Sequence, residues 1–162
     1  KKNCIPTVHR VNGTATPDDT PTTPLEDPSL LRLKVTQPLQ LRQAVLNRGR
    51  DRLDEEAQQV VVYREGTPVG TARLWWYEGG FYAGDFCVLP TARGEAYGDL
   101  LVRLVLFKAM SHQAASVTLT CPAALSPFFA RYGFRALEEG DPQRMRVAAE
   151  EISLGCGHCG GK

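Results

Sequence analysis

Val88-Leu89-Pro90-Thr91-Ala92-Arg93-Gly94-Glu95-Ala96-Tyr97-Gly98 decides how this chain is read. Apolar, strand-like residues precede it and a long apolar run, 98–112, follows it. The stretch is therefore expected to be a strand end, a glycine-bearing turn and a helix start. A helix N-terminus presents backbone N–H groups without intrahelical partners, and its dipole favours negative charge. Glycines at that point let the backbone close on a phosphate, which makes the turn a candidate anion cradle.

Upstream, the β-rich runs 60–63, 69–77 and 81–89 are separated by Glu65-Gly66 and Glu78-Gly79-Gly80, the pattern of an antiparallel meander. Downstream, 98–112 is apolar around most of its circumference, so a helix buried on more than one side is expected. Then come a strand at 116–121, a helix at 123–132 closed by Gly133, and strands at 134–137 and 144–148. Near the N-terminus, 31–35 alternates like a strand, and Pro38 is expected to open a helix to 47 with Leu41, Ala44 and Val45 on one face. Residues 50–59 read as a short, solvated helix supported by Arg52 and Glu56 at i,i+4. The expected layout is an extended arm over 1–29, one α/β (α+β) domain over 30–149 and a Cys/Gly-rich tail over 150–162.

With 162 residues, the chain has room for one independent core. Hydrophobic residues make up 43% and charged residues 23%, as in globular proteins. A net charge of +1 gives no electrostatic case for a nucleic-acid partner. No apolar run approaches the ~20 residues of a membrane-spanning helix, so no membrane partner is expected and cytoplasmic location is the default. Five cysteines, unevenly spaced, do not make a disulfide scaffold.

The order and punctuation of these elements resemble the GNAT superfamily of acyl-CoA N-acyltransferases. Four segments carry the resemblance: Gly70-Thr71-Ala72-Arg73-Leu74; Val88-Leu89-Pro90 with Arg93-Gly94-Glu95-Ala96-Tyr97-Gly98, similar to the pyrophosphate motif; Gly98-Asp99-Leu100-Leu101; and Phe128-Phe129-Ala130-Arg131-Tyr132-Gly133-Phe134. The resemblance implies a twisted mixed sheet whose central parallel strands, ending at Leu89 and Cys121, splay apart around acetyl-CoA. It implies that Cys87, Val88 and Leu89 pair with the pantetheine arm. Arg93, Gly94, Glu95, Ala96, Tyr97 and Gly98 would hold the pyrophosphate. The implied activity is acetyl transfer to a primary amine of a small molecule or protein, by direct attack in a ternary complex.

The departures from the family pattern fall on the chemistry. Ala96 stands where the second motif residue is usually glycine. Phe129 stands where many members carry the tyrosine that reprotonates the thiolate, and phenylalanine has no proton to give. Tyr132 lies about 300° further round a helix and is expected to be a packing residue. Tyr82 falls near the place of the family's glutamate base. Asp85 is on the same strand but on the opposite face by alternation, unless a bulge intervenes. Glu78 in the turn is a further carboxylate, more simply read as solvated. Cys121 is a candidate acyl acceptor or proton donor, although a buried structural thiol explains it as well. These departures leave a second reading open, a catalytically degenerate binding or structural subunit. Trp75-Trp76-Tyr77 and Phe81-Tyr82 either line an apolar acceptor pocket or cover a subunit interface, as in a homodimer or a larger complex.

The tail Cys156-Gly157-His158-Cys159 has the spacing of a two-cysteine metal or redox pair for zinc or iron, two ligands short of a structural zinc site. Cys4 and His9 complete such a site only if the termini meet.

Overall fold

The computed structural model describes residues 28–155, with side chains from residue 37 onward. The arm before Pro28 and the Cys156/Cys159 pair lie outside the described residues. The chain begins with α1 (Pro28–Leu46), a helix that runs through Pro38. The expected strand at 31–35 is therefore a helix. Leu31 and Val35 satisfy i,i+4 as well as period two, and Pro28 is preorganised for a first helical turn. Pro38, expected to open the helix, instead costs it one hydrogen bond midway. Its buried stripe also differs from expectation, because Pro38, Leu41 and Arg42 face inward while Ala44 is exposed.

Residues 50–59 do not form an α-helix. A single 3-10 turn, Arg52–Glu55, is followed by β1 (Gln58–Arg64). The segment is not wholly solvated either, since Asp54 is buried. β1, β2 (Thr67–Tyr77) and β3 (Gly80–Val88) form the expected meander. Both hairpins are two-residue turns with positive φ at each centre, Glu65-Gly66 (50° and 80°) and Glu78-Gly79 (46° and 77°), the type I′ geometry that matches strand twist.

After the motif come α2 (Tyr97–Ser111), β4 (Ser116–Cys121), the short α3 (Ser126–Ala130), β5 (Arg135–Ala136) and β6 (Gln143–Ala148). The six strands make one mixed sheet in the order β1-β2-β3-β4-β6-β5. Only β3 and β4 pair in parallel, and only over Phe81↔Val117 to Ala83↔Leu119. Beyond Ala83 and Leu119 they have no paired register, although β3 continues to Val88 and β4 to Cys121. The splay expected between the central strands is thus present.

α2 buries Leu101, Val102, Val105, Leu106 and Ala109 in one cluster with sheet residues such as Leu74, Ala83, Val117, Leu119 and Val147. It is not buried all round as its composition suggests, because Phe107 and Met110 are exposed. α1 packs on β2 and β3 as well, and it carries charge onto the sheet. Arg42, Asp54, Arg73 and Asp85 form a buried ionic network there. Arg42 Nη2 lies 2.6 Å from Asp54, Arg73 Nε 2.6 Å from Asp85, and Arg73 also grips Asp51 through 2.6 and 2.7 Å bonds.

Candidate active site

The motif forms a left-handed turn leading into a helix. Gly94 has φ +82° and Ala96, the residue capping α2, has φ 65° and ψ 18°. Such turns direct successive amides into an anion-binding concavity. The cap contributes no side-chain hydrogen bond. The first intrahelical bond to it is Leu100 N–H to Ala96 C=O at 3.0 Å, so the amides at positions 97–99 have no intrahelical acceptor. A Cβ on Gly94 would meet nothing within 4 Å, so glycine is required there by its φ and not by crowding. Ala96 adopts the left-handed conformation that glycine favours.

A cleft of about 630 Å³ lies over this turn, and it is lined by Val88, Arg93, Gly94, Ala96, Tyr97 and Gly98 of the predicted set. Arg93 Nε donates to the Val88 carbonyl at 3.3 Å, joining the turn to the strand end. Glu95 points elsewhere, pairing with Arg64 at 2.8 Å on an exposed surface. Cys87 is buried, and burial pushes its thiol up to about 11. The Leu89 N–H is already bonded to the Val69 carbonyl of β2 at 2.8 Å, so it is not available to a pantetheine arm. Alternation along β3 then turns the Val88 amide toward the gap beside β4.

The far wall of the cleft comes from residues the sequence reading did not place there: Asp99, Arg103, Phe128 and Arg131. The Arg131 guanidinium sits 4.9 Å over the Phe128 ring. Tyr132 is buried, and its hydroxyl donates to Asp99, which also accepts from Arg103 Nε at 2.7 Å. Tyr132 is thus more than packing. The 300° rotation assumed one continuous helix, whereas α3 ends at Ala130. Burial and the Asp99 carboxylate both raise the Tyr132 phenol, so it holds its proton tightly. Asp99 itself is held below the usual carboxylate range: burial opposes this, but the bonds from Arg103 and Tyr132 outweigh it.

Phe129 is buried, with its ring edge-on to Phe86, Phe128 and Phe134 at 5.1–5.9 Å between centroids. Cys121 is buried, and its thiol lies 3.8 Å from the Met145 thioether. Burial first, and Asp141 second, raise its pKa. Both effects favour the protonated thiol.

β3 carries a bulge. Arg73 pairs with Gly84 and Thr71 with Cys87, so two residues of β3, Asp85 and Phe86, stand opposite Ala72 alone. Asp85 sits at φ 52°. The extra residue turns Asp85 onto the face that Tyr82 shares with Arg73 and Trp75, where it meets three guanidiniums: Arg73 Nε at 2.6 Å, Arg48 at 2.8 Å and Arg42 at 3.5 Å. A carboxylate so matched anchors the bulge. Tyr82 stacks on Trp75 at 5.0 Å, and its hydroxyl is hydrogen-bonded to that of Thr120, the first β4 residue past the last parallel pair. Among the described residues no group of three metal-ligating side chains comes together, and no helix is long and apolar enough to cross a membrane.

A family model for the acetyltransferase (GNAT) domain matches residues 55–136, and the chain belongs to that family. Among curated proteins it is similar to the uncharacterized N-acetyltransferase YjcF of Bacillus subtilis (strain 168), 28% identical over 89 residues. That match takes in 55% of this chain and 64% of the relative, so the chain spans less than two thirds of it. Among solved structures it is similar to an acyl-CoA N-acyltransferase from Pseudomonas aeruginosa, with a TM-score of 0.63 and 28% identity over 72% of this chain and 91% of that one. It also shares its fold with the PaiA N-acetyltransferase of Thermoplasma acidophilum in complex with coenzyme A, with a TM-score of 0.52 and 11% identity over 75% and 93% of the two chains.

Proposed function

We propose that this chain transfers an acetyl group from acetyl-CoA to a primary amine by direct attack in a ternary complex. The observation that carries the reading is the placement of the left-handed turn at 94–96 beside the point where β3 and β4 part. Family membership and the coenzyme A bound to PaiA support the choice of cosubstrate. The fit is chemical: unpartnered amides at 97–99, the Arg93 and Arg131 guanidiniums and the α2 dipole all suit a pyrophosphate. The Val88 amide, facing the gap, would pair with the pantetheine arm or polarise a thioester carbonyl.

In the transfer, the amine nitrogen bonds to the acyl carbon and the carbon–sulfur bond breaks. The amine's surplus proton ends on the departing sulfur or in solvent. The carboxylates of Asp85 and Asp99 are both engaged by arginines. The Tyr82–Thr120 hydroxyl pair is the protic group at the mouth of the gap, and we assign it the relay that carries this proton outward.

Phe129 in the core and Cys121 as a protonated thiol favour one other reading, a CoA-binding subunit without turnover. Thiol release from acetyl-CoA with a panel of primary amines separates the two. Release above the buffer rate, lost in Gly94→Asp, supports transfer. CoA binding with no release on any amine overturns it in favour of the binding subunit.

A further inference from the structure

A second cavity, of about 430 Å³, opens on the sheet face opposite α2. Its floor is one row of direct cross-strand neighbours, Trp75↔Tyr82, Tyr82↔Thr118 and Thr118↔Arg146, spanning β2, β3, β4 and β6. One side is aromatic. Trp75 stacks on Tyr82 with 21° between planes, and Tyr77 meets Tyr82 edge-on at 6.1 Å. The other side is cationic. Arg144 and Arg146 point to the same face of β6, about 7 Å apart at a rise of ~3.3 Å per residue.

These two guanidiniums are poorly matched by the protein. Arg146 gives its Nε to the Thr118 hydroxyl at 3.1 Å, and no carboxylate lies within ion-pair distance of it among the described residues. Arg144 has only a 3.3 Å contact with Glu138, both side chains more than half exposed. Such surface pairs hold little. Glu78 supplies the only carboxylate in the lining, so the cavity has a surplus of positive charge. Two adjacent guanidiniums gain most from a bridging carboxylate, which can accept from both. The volume suits a small molecule and not a folded partner.

The cavity also adjoins the gap. Tyr82, its central wall, bonds to Thr120 where β3 and β4 separate. We propose that this cavity is the acceptor subsite, and that it takes a small amine bearing a carboxylate on an aromatic or apolar skeleton. The carboxylate lies against Arg146 and Arg144, the skeleton lies along Trp75 and Tyr82, and the amine is directed past Thr120 into the gap. The assignment rests on the acetyl-transfer reading, which places the reacting carbonyl in that gap.

The test compares N-acetyl-L-phenylalanine with N-acetylphenethylamine, which lacks the carboxylate, by calorimetry on the full chain. The acid is expected to bind roughly tenfold tighter or more, and Arg146→Gln and Arg144→Gln each to remove most of that preference while leaving CoA affinity unchanged. Equal binding of the two compounds, no binding of either, or a preference that survives Arg146→Gln overturns the proposal. A separate CoA titration keeps the two readings apart: failure to bind CoA refutes acetyl transfer, whatever the acid does. Acetylation of phenethylamine as readily as of phenylalanine refutes the subsite while leaving acetyl transfer intact.

Discussion

Replacing Asp85 with alanine removes the carboxylate that anchors the β3 bulge. Its side chain is 5% exposed and those of Arg42 and Arg73 are 1% and 4%, so solvent does little to screen the loss. Deleting one partner of a buried ion pair costs about 3–5 kcal/mol when the remaining charge is stranded. Here neither arginine is stranded, because Arg42 keeps Asp54 at 2.6 Å and Arg73 keeps both oxygens of Asp51. The cost therefore falls just below that range, at about 2–3 kcal/mol, and the largely exposed Arg48 adds nothing. Position 85 also sits at φ 52°, a conformation Asp tolerates better than Ala, worth about 1 kcal/mol more. Asp85→Ala should therefore lose about 3–4 kcal/mol in urea unfolding, a midpoint shift of roughly 2 M for a slope near ~1.5 kcal/mol/M. Asp85→Gly loses the same charge without the backbone strain and should be about 1 kcal/mol more stable than Asp85→Ala. If Asp85→Ala unfolds within 0.5 kcal/mol of the parent, or glycine proves worse than alanine, the account of the bulge is wrong.

Ala96→Gly relieves a left-handed alanine and should stabilise by about 0.5–1 kcal/mol with CoA affinity kept, whereas Gly94→Ala, sterically open but at φ +82°, should destabilise by about 1 kcal/mol and weaken CoA; thermal melts and calorimetry read both. Tyr132→Phe removes a hydrogen bond to a charged group and should cost about 1.5–3 kcal/mol in urea unfolding, but it should leave the pH profile of any acetyl transfer in place, because Tyr132 keeps its proton; a lost acidic or basic limb would show it to be the proton donor after all. Asp51, Asp54 and Asp99 all have lowered pKa values, so below 3.8 the unfolded chain binds protons first; urea midpoints should be flat from pH 7 to about 4.5 and fall below about pH 4, with a shallower fall in Asp54→Asn.

Local chemistry made much of this fold legible. The two Glu-Gly turns, the period-two runs beside them and the glycine turn before α2 each carry their own signal within a few residues. The stripe of α2 was overestimated because composition alone does not say that Phe107 and Met110 face outward. What the sequence did not expose depends on distant pairings. Asp54 reads as one acid among many in a charged segment until Arg42 of α1 and Arg73 of β2 are brought to it. Asp85 changes face because of a one-residue bulge that alternation cannot reveal, although that alternative was visible in principle. Tyr132 is buried in the core as a packing residue, but its hydrogen bond to Asp99 was not legible, because the helix expected to reach it stops two residues earlier. The turn residues 93–98 carry their signal locally, while the opposite wall of the cleft, Arg131 and Asp99 included, required the fold.

The central claim is that the turn at 94–96 holds the phosphates of coenzyme A. Titrating CoA and dephosphorylated pantetheine into the full chain by calorimetry tests it most directly. The account predicts saturable, one-to-one binding of CoA, much weaker binding of pantetheine, and loss of CoA binding in a Gly94→Asp variant that still melts cooperatively. Absence of CoA binding by well-folded protein, or equal affinity for pantetheine, would contradict it.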